Sequence, residues 1–142
     1  MKKFKFRLQK VLEYRETNKS EKRRVLLVKN QELQAGKNRL VELENMALSN
    51  KLEQGTIMMV QQVEIWGMFA ERIKDEIAMQ KLNLIKLEEE VAAALKEYID
   101  ASKDARSLEL LKERKLQEFW DVVHKEDEKF LDELAVQRYK LQ

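Results

Sequence analysis

At 142 residues with no proline, three glycines and 38% charged side chains, the chain is long enough for one domain but lacks the turn residues of a many-element fold. It carries no cysteine, which excludes a disulfide framework and a thiolate metal site, and its 41 Leu, Ile, Val and Phe residues are too many for an intrinsically disordered chain. Net charge is only +2, yet residues 1–30 hold eleven Lys/Arg against three Asp/Glu while residues 107–142 hold seven against nine, so the N-terminal end is the one steered toward an acidic partner.

Ala, Glu, Lys, Leu and Arg fill 78 of the 142 positions, the composition of long helices. The expected fold is all-α: a single elongated domain over residues 1–142 with two long helices in an antiparallel coiled-coil hairpin, the second helix longer and overhanging at its C-terminal end. Helix one is expected over about residues 3–53. Its opening, FKFRLQKVLEYRE at residues 4–16, places Phe4, Leu8, Val11, Leu12 and Arg15 on one helical face and Phe6 on the other, among Lys2, Lys3, Arg7 and Lys10. A three-and-four alternation continues through Lys19, Lys22, Leu26, Lys29, Leu33, Gly36, Leu40, Leu43 and Ala47. Lys19 interrupts the position held by Leu12, Leu26, Leu33 and Leu40, so the seam is stronger in its second half.

The reversal is expected at residues 54–56, where Gly55 can take the left-handed conformation that ends a helix and Thr56 can cap the next. Gly36 and Gly67 sit in helix-forming sequence and are not expected to break it. Helix two is expected over about residues 57–140, with a seam through Ile73, Ile77, Gln80, Leu84, Leu87, Val91, Ala94, Tyr98, Ala101, Ala105 and Leu108. After residues 102–107 the phase drifts, and Leu116, Phe119, Val123, Phe130, Leu134 and Leu141 continue it less regularly. The core reading rests on Leu8, Leu12, Leu26, Leu33, Leu40, Ile77, Leu84, Leu87, Val91 and Tyr98.

A short turn makes the helices antiparallel, with residue i opposite about residue 109 minus i. On that register Phe4, Leu8, Val11 and Leu12 pack near residues 98–105, the basic run from Lys19 to Arg24 lies beside Glu88, Glu89 and Glu90, and about 37 residues of helix two lack an intrachain partner, up to roughly 55 Å of helix.

No catalytic constellation is present. A single histidine, His124, cannot build a histidine metal cluster, and there is no thiol and no glycine-rich phosphate loop. The carboxylates of Glu88–Glu90 and of Asp127 and Glu128 read as solvated helix faces. No enzyme activity and no cofactor are therefore expected. The basic helix does not lead into a parallel zipper, so a specific nucleic-acid role is not expected. A membrane-surface helix over residues 2–15 lacks a broad apolar face, and no segment has the length and apolarity of a membrane span. Two apolar sets remain. Ile57, Met58, Met59, Val60, Trp66, Met68 and Phe69 near the turn suit either a binding surface or a cap on the hairpin's closed end, with Trp66 expected to face outward. Phe119, Trp120, Val122, Val123, Phe130, Leu131 and Leu134 need self-association or a client.

The opening FKFRLQKVLEYRE resembles the N-terminal signature of the flagellar FliJ export protein family, an aromatic-Arg-Leu followed by Val-Leu and Arg15. The ending LDELAVQRY, Leu131 to Tyr139, resembles that family's acidic-apolar C-terminal pattern. The resemblance implies a stalk-like, two-helix coiled coil without enzyme activity that inserts into the hexameric flagellar export ATPase ring, contacts the cytoplasmic domain of the export gate and escorts export chaperones. By the same analogy Phe6, Arg7, Lys10 and Arg15 meet the ATPase ring, whereas Trp66, Phe69, Ile73 and Gln80 face the gate. It further implies a cytoplasmic protein peripherally associated with the inner membrane at the flagellar base. Trp66 and Gly67 depart from the tyrosine-like residue and stronger helix former expected there. The alternatives are the equivalent stalk of a virulence type III secretion system, an unrelated adaptor coiled coil and a basic nucleic-acid-binding helical hairpin.

Overall fold

The computed structural model describes residues 2–51, 57 and 59–141. All regular structure among them is helical: α1 spans Gln9–Ser49 and α2 spans Val60–Lys140, 41 and 81 residues. The two helices pack against each other, and the second is the longer. The expected reversal with Gly55 and Thr56, and Met58 beside it, lies outside the described residues.

Helix α1 begins later than its composition implies. Residues 2–6 are not helical, the Gln9 N–H bonds back to the Phe6 carbonyl at 3.2 Å, and the Leu8 carbonyl accepts from the Leu12 N–H at 2.9 Å. The reason is legible in KFKFRL at residues 3–8, which alternates polar and apolar with a period of two, the pattern of an extended chain lying on a surface. Helix α2 opens with the Met59 N–H donating to Gln62 Oε1 at 3.1 Å, one half of a capping box. It closes with Arg138 and Lys140 in its last turn, where cations favour the carbonyl end of a helix.

The chain divides into two compact units, one formed by Met1–Ser20 with Ile99–Gln142 and the other by Glu21–Tyr98. In the second unit α1 and α2 run antiparallel. Lys22 pairs with Glu97 and Lys29 with Glu90, both at 3.1 Å, so residue numbers in each pair add to 119. Leu43, Ile73 and Ala94 are buried, and Leu26, Leu33, Leu40, Ile77, Leu84, Leu87, Val91 and Tyr98 are half-buried along the same seam. The partners lie ten positions further along α2 than the expected register placed them, so the basic run does not sit beside Glu88–Glu90 as a block. Close side-chain fit accompanies this register. Gly36 is buried, and a Cβ there would stand 2.9 Å from Leu84 Cδ2 and 3.1 Å from Leu87 Cδ1. Its missing side chain admits both leucines, and its carbonyl accepts the Gln80 side-chain N–H at 2.9 Å.

The hydrogen bond that Lys29 donates to Glu90, with Glu32 nearby, holds the Lys29 ammonium above the usual lysine range. A raised pKa of this kind contributes stability fully below the ordinary lysine value and loses it only as pH rises through the raised one. The Lys29 side is therefore charged at neutral pH. Glu21, hydrogen-bonded to Arg24, is shifted below the carboxylate range, so its contribution is lost only as pH falls through that depressed value.

In the first unit Leu12, Ala101, Ala105 and Leu108 are buried. Alanines at the contact bring the helices close enough for Arg15 Nη1 to donate to the Asp104 backbone carbonyl at 3.0 Å. Residues 2–6 lie along α2 as a non-helical strap, and residues 7 and 8 turn the chain into α1. Phe4 meets Phe119 with ring centroids 5.6 Å apart, inside the aromatic contact range, and Lys2 forms an ion pair with Glu126. Two expectations change here. Phe4 packs on Phe119, not near residues 98–105, and the strap covers a stretch of α2 expected to lack an intrachain partner. Val11, expected in the packing, is 41% exposed, since its neighbour Leu12 takes the buried position on the seam.

Candidate partner-binding surfaces

The strap builds the first surface. From Lys3 to Leu8 exposure alternates strictly: Lys3, Lys5 and Arg7 are exposed while Phe4, Phe6 and Leu8 are half-buried. The apolar set lies against α2 and the cations face solvent. Phe6 lines a groove with Leu111, Lys115, Phe119 and Val122. The expectation that it stands outward beside Arg7 followed from a helical period that the strap does not have. Lys10, in the first turn of α1, is exposed and extends the cationic row. Arg15 is half-buried and donates a guanidinium N–H to the Asp104 carbonyl. The strap is held by one exposed ion pair, worth about 0–1 kcal/mol, and by the Phe4 and Phe6 rings. Phe4→Ala is accordingly expected to speed tryptic cleavage at Lys3, Lys5 and Arg7 severalfold while helix content is unchanged, measured by limited proteolysis alongside circular dichroism.

A second set lies at the start of α2, within the unit formed by residues 21–98. Trp66 is half-buried, and its indole N–H donates to the Asn50 backbone carbonyl just beyond α1. It therefore satisfies one of the orphan acceptors at the helix terminus instead of facing outward. Ile73 is 4% exposed and belongs to the helix contact, Gln80 holds the Gly36 carbonyl, and Phe69 is exposed. These four residues do not form one open patch. Sequence reading passed over Ile65, Met79, Leu82 and Ile85, which are exposed along with Met68 on α2. Their spacing of three residues within the pairs 65/68, 79/82 and 82/85 marks a side of the helix away from the seam, a signal masked by Arg72 and Asp75 between them.

The third surface is the C-terminal stretch of α2. From His124 to Leu141 every side chain is exposed, including Phe130, Leu131, Leu134, Val136 and Tyr139. His124 lies beside the Trp120 ring, centroids 6.2 Å apart.

Among the described residues there is no group of three or more His, Asp or Glu side chains placed to hold a metal ion. No helix among them is long and apolar enough to cross a membrane. The family model described as Flagellar FliJ protein matches residues 4–142. No curated protein and no solved structure matches the chain.

Proposed function

The chain belongs to the flagellar FliJ family, a non-catalytic component of flagellar type III export, and from that premise we propose that it serves as the stalk of the export ATPase. The unit that carries the strap enters the hexameric ATPase ring. The early part of α2, around Trp66, Phe69, Ile73 and Gln80, serves contact with the cytoplasmic domain of the export gate, with Phe69 as the side chain that reaches it. The same protein escorts export chaperones and works at the cytoplasmic face of the inner membrane at the flagellar base, held there by its protein partners. The observation that carries the reading is the family match across residues 4–142. The exposed cations Lys3, Lys5, Arg7 and Lys10 support it, because an outward basic row steers docking onto an acidic ring surface. Within a ring, a helical pair with unlike patches around its circumference meets subunits in unlike states and biases their assembly without doing chemistry.

The test mixes the protein with the export ATPase and measures hexamer formation and ATP hydrolysis, both of which are expected to rise. Arg7→Glu is expected to weaken ATPase binding about tenfold, the effect of roughly 1.4 kcal/mol, and to spare the gate, whereas Phe69→Ala does the reverse. No response to excess wild-type protein overturns the stalk reading. Loss of the same partner by both variants overturns the assignment of surfaces.

A further inference from the structure

We propose that the C-terminal stretch of α2, residues 123–141, pairs with the same stretch of a second copy of this chain, antiparallel about a two-fold axis near Asp132. The pairing describes the free chain, since residues 123–141 belong to the unit proposed above to enter the ATPase ring. It starts from spacing: Val123, Asp127, Phe130, Leu134, Gln137 and Leu141 repeat at intervals of four, three, four, three and four, the heptad rhythm of a helix–helix seam. The residues from Asp127 onward are exposed within their own chain, so the rhythm has no intrachain partner to serve.

A second copy answers this pattern in a particular register. In an antiparallel pair the facing residue numbers have a constant sum, as they do where α1 meets α2. With Phe130 opposite the partner's Leu134, Val123 falls opposite the partner's Leu141 and Asp127 opposite the partner's Gln137. The two-fold axis repeats each, giving about six layers, two-thirds of them apolar, the remainder an acid facing an amide that can donate to it. The flanks follow the same register. On one, Glu126, already paired with Lys2 of its own chain, comes beside the partner's Lys140, and Glu133 beside the partner's Glu133, a like-charge contact near the axis that lowers affinity. On the other, Leu131 meets the partner's Leu131. A parallel pair would instead stack Asp127 on Asp127 inside the seam, a like-charge contact that disfavours it more. The overlap of about 19 residues is roughly 28 Å of helix, short of a standard-size interface, so association is weak and concentration-dependent.

The chain has no cysteine, so single cysteines report the geometry without background. Sedimentation velocity on the full chain is expected to show the mass rising with concentration toward twice 17.0 kDa, and Phe130→Glu is expected to shift half-dimerisation at least tenfold higher. Under mild oxidation Leu131→Cys is expected to give a disulfide-linked dimer. Val123→Cys mixed with Leu141→Cys is expected to cross-link, and Leu141→Cys alone is not. Because residue 130 is exposed, circular dichroism of Phe130→Glu should match wild type; if it does not, the cysteine pairs alone decide. A wild-type chain that stays monomeric at every concentration overturns the proposal. So does ready cross-linking of Leu141→Cys to itself, which marks a parallel pair.

Discussion

Gly36→Leu is expected to lower the thermal midpoint by roughly 2–12 °C, read by far-UV circular dichroism. A leucine in a helix interior gains about 0.8 kcal/mol over glycine from propensity alone, so the substitution is stabilising by local rules. The tertiary terms outweigh that gain. Even a Cβ would sit 2.9 Å from Leu84 Cδ2 and 3.1 Å from Leu87 Cδ1, and overpacking of this kind costs about 1–3 kcal/mol. Displacing Gln80 from the Gly36 carbonyl removes about 1 kcal/mol more. The net loss of about 1–3 kcal/mol converts at about 2–4 °C per kcal/mol for a chain near this size. Gly67 supplies the opposite sign. A Cβ there meets nothing within 4 Å, so Gly67→Ala is expected to raise the midpoint by about 1–4 °C through the helix-propensity gain of roughly 0.5–1 kcal/mol. Equal shifts for the two variants would mean that the glycines are equivalent and that α1 and α2 do not approach closely at Gly36.

The second large effect is expected at Ala105, whose exposure is 0%. Ala105→Leu changes helix propensity by only a few tenths of a kcal/mol, so its consequence isolates packing. Three added carbon atoms at a fully covered alanine force α1 and α2 apart in the unit formed by residues 1–20 and 99–142. The Arg15 hydrogen bond to the neighbouring Asp104 carbonyl, 3.0 Å long, is then lost. A charged donor of this type is worth about 1.5–3 kcal/mol, and overpacking about 1–3 kcal/mol. The midpoint is expected to fall by roughly 5–24 °C, with hydrogen-exchange protection lost around residues 9–20 and 99–110. Leu110→Ala, at an exposed neighbouring position, serves as the control and is expected to move the midpoint by less than about 2 °C. A small shift at Ala105 would show that the helix contact there is loose enough to take a larger side chain.

Both substitutions turn on small residues that carry no signal in a hydrophobic pattern. The regular spacing of Leu26, Leu33 and Leu40 on α1, or of Ile77, Leu84 and Val91 on α2, announces a packed face because each apolar side chain adds to one stripe. Gly36 and Ala105 lie on the same stripes, yet their importance is the size of what faces them. Trp66 shows the same limit. Its bulk and its place near the reversal suited an outward anchor, but the Asn50 carbonyl needed a donor and the indole N–H was in reach.

The strap marks a different boundary. KFKFRL shows its period of two openly, but six residues ahead of a long helix also fit the first turns of that helix. What decides between them is a surface for Phe4 and Phe6 to lie on, and that surface, with Leu111, Phe119 and Val122, comes from the other end of the chain.

By itself the sequence determined the helical class, the pair of long helices and the residues of the seam, and its opening and closing motifs pointed to the family. Composition and periodicity act within a few residues along the chain, so these properties are local. Only the tertiary structure decided the register, the strap, the hydrogen bond that ties Trp66 to the Asn50 carbonyl, and which cations face outward. Those depend on how side chains distant in sequence fit together: the same stripes satisfy several registers a heptad apart, and the choice among them rests on where a glycine, an alanine or an unpaired carbonyl finds its match.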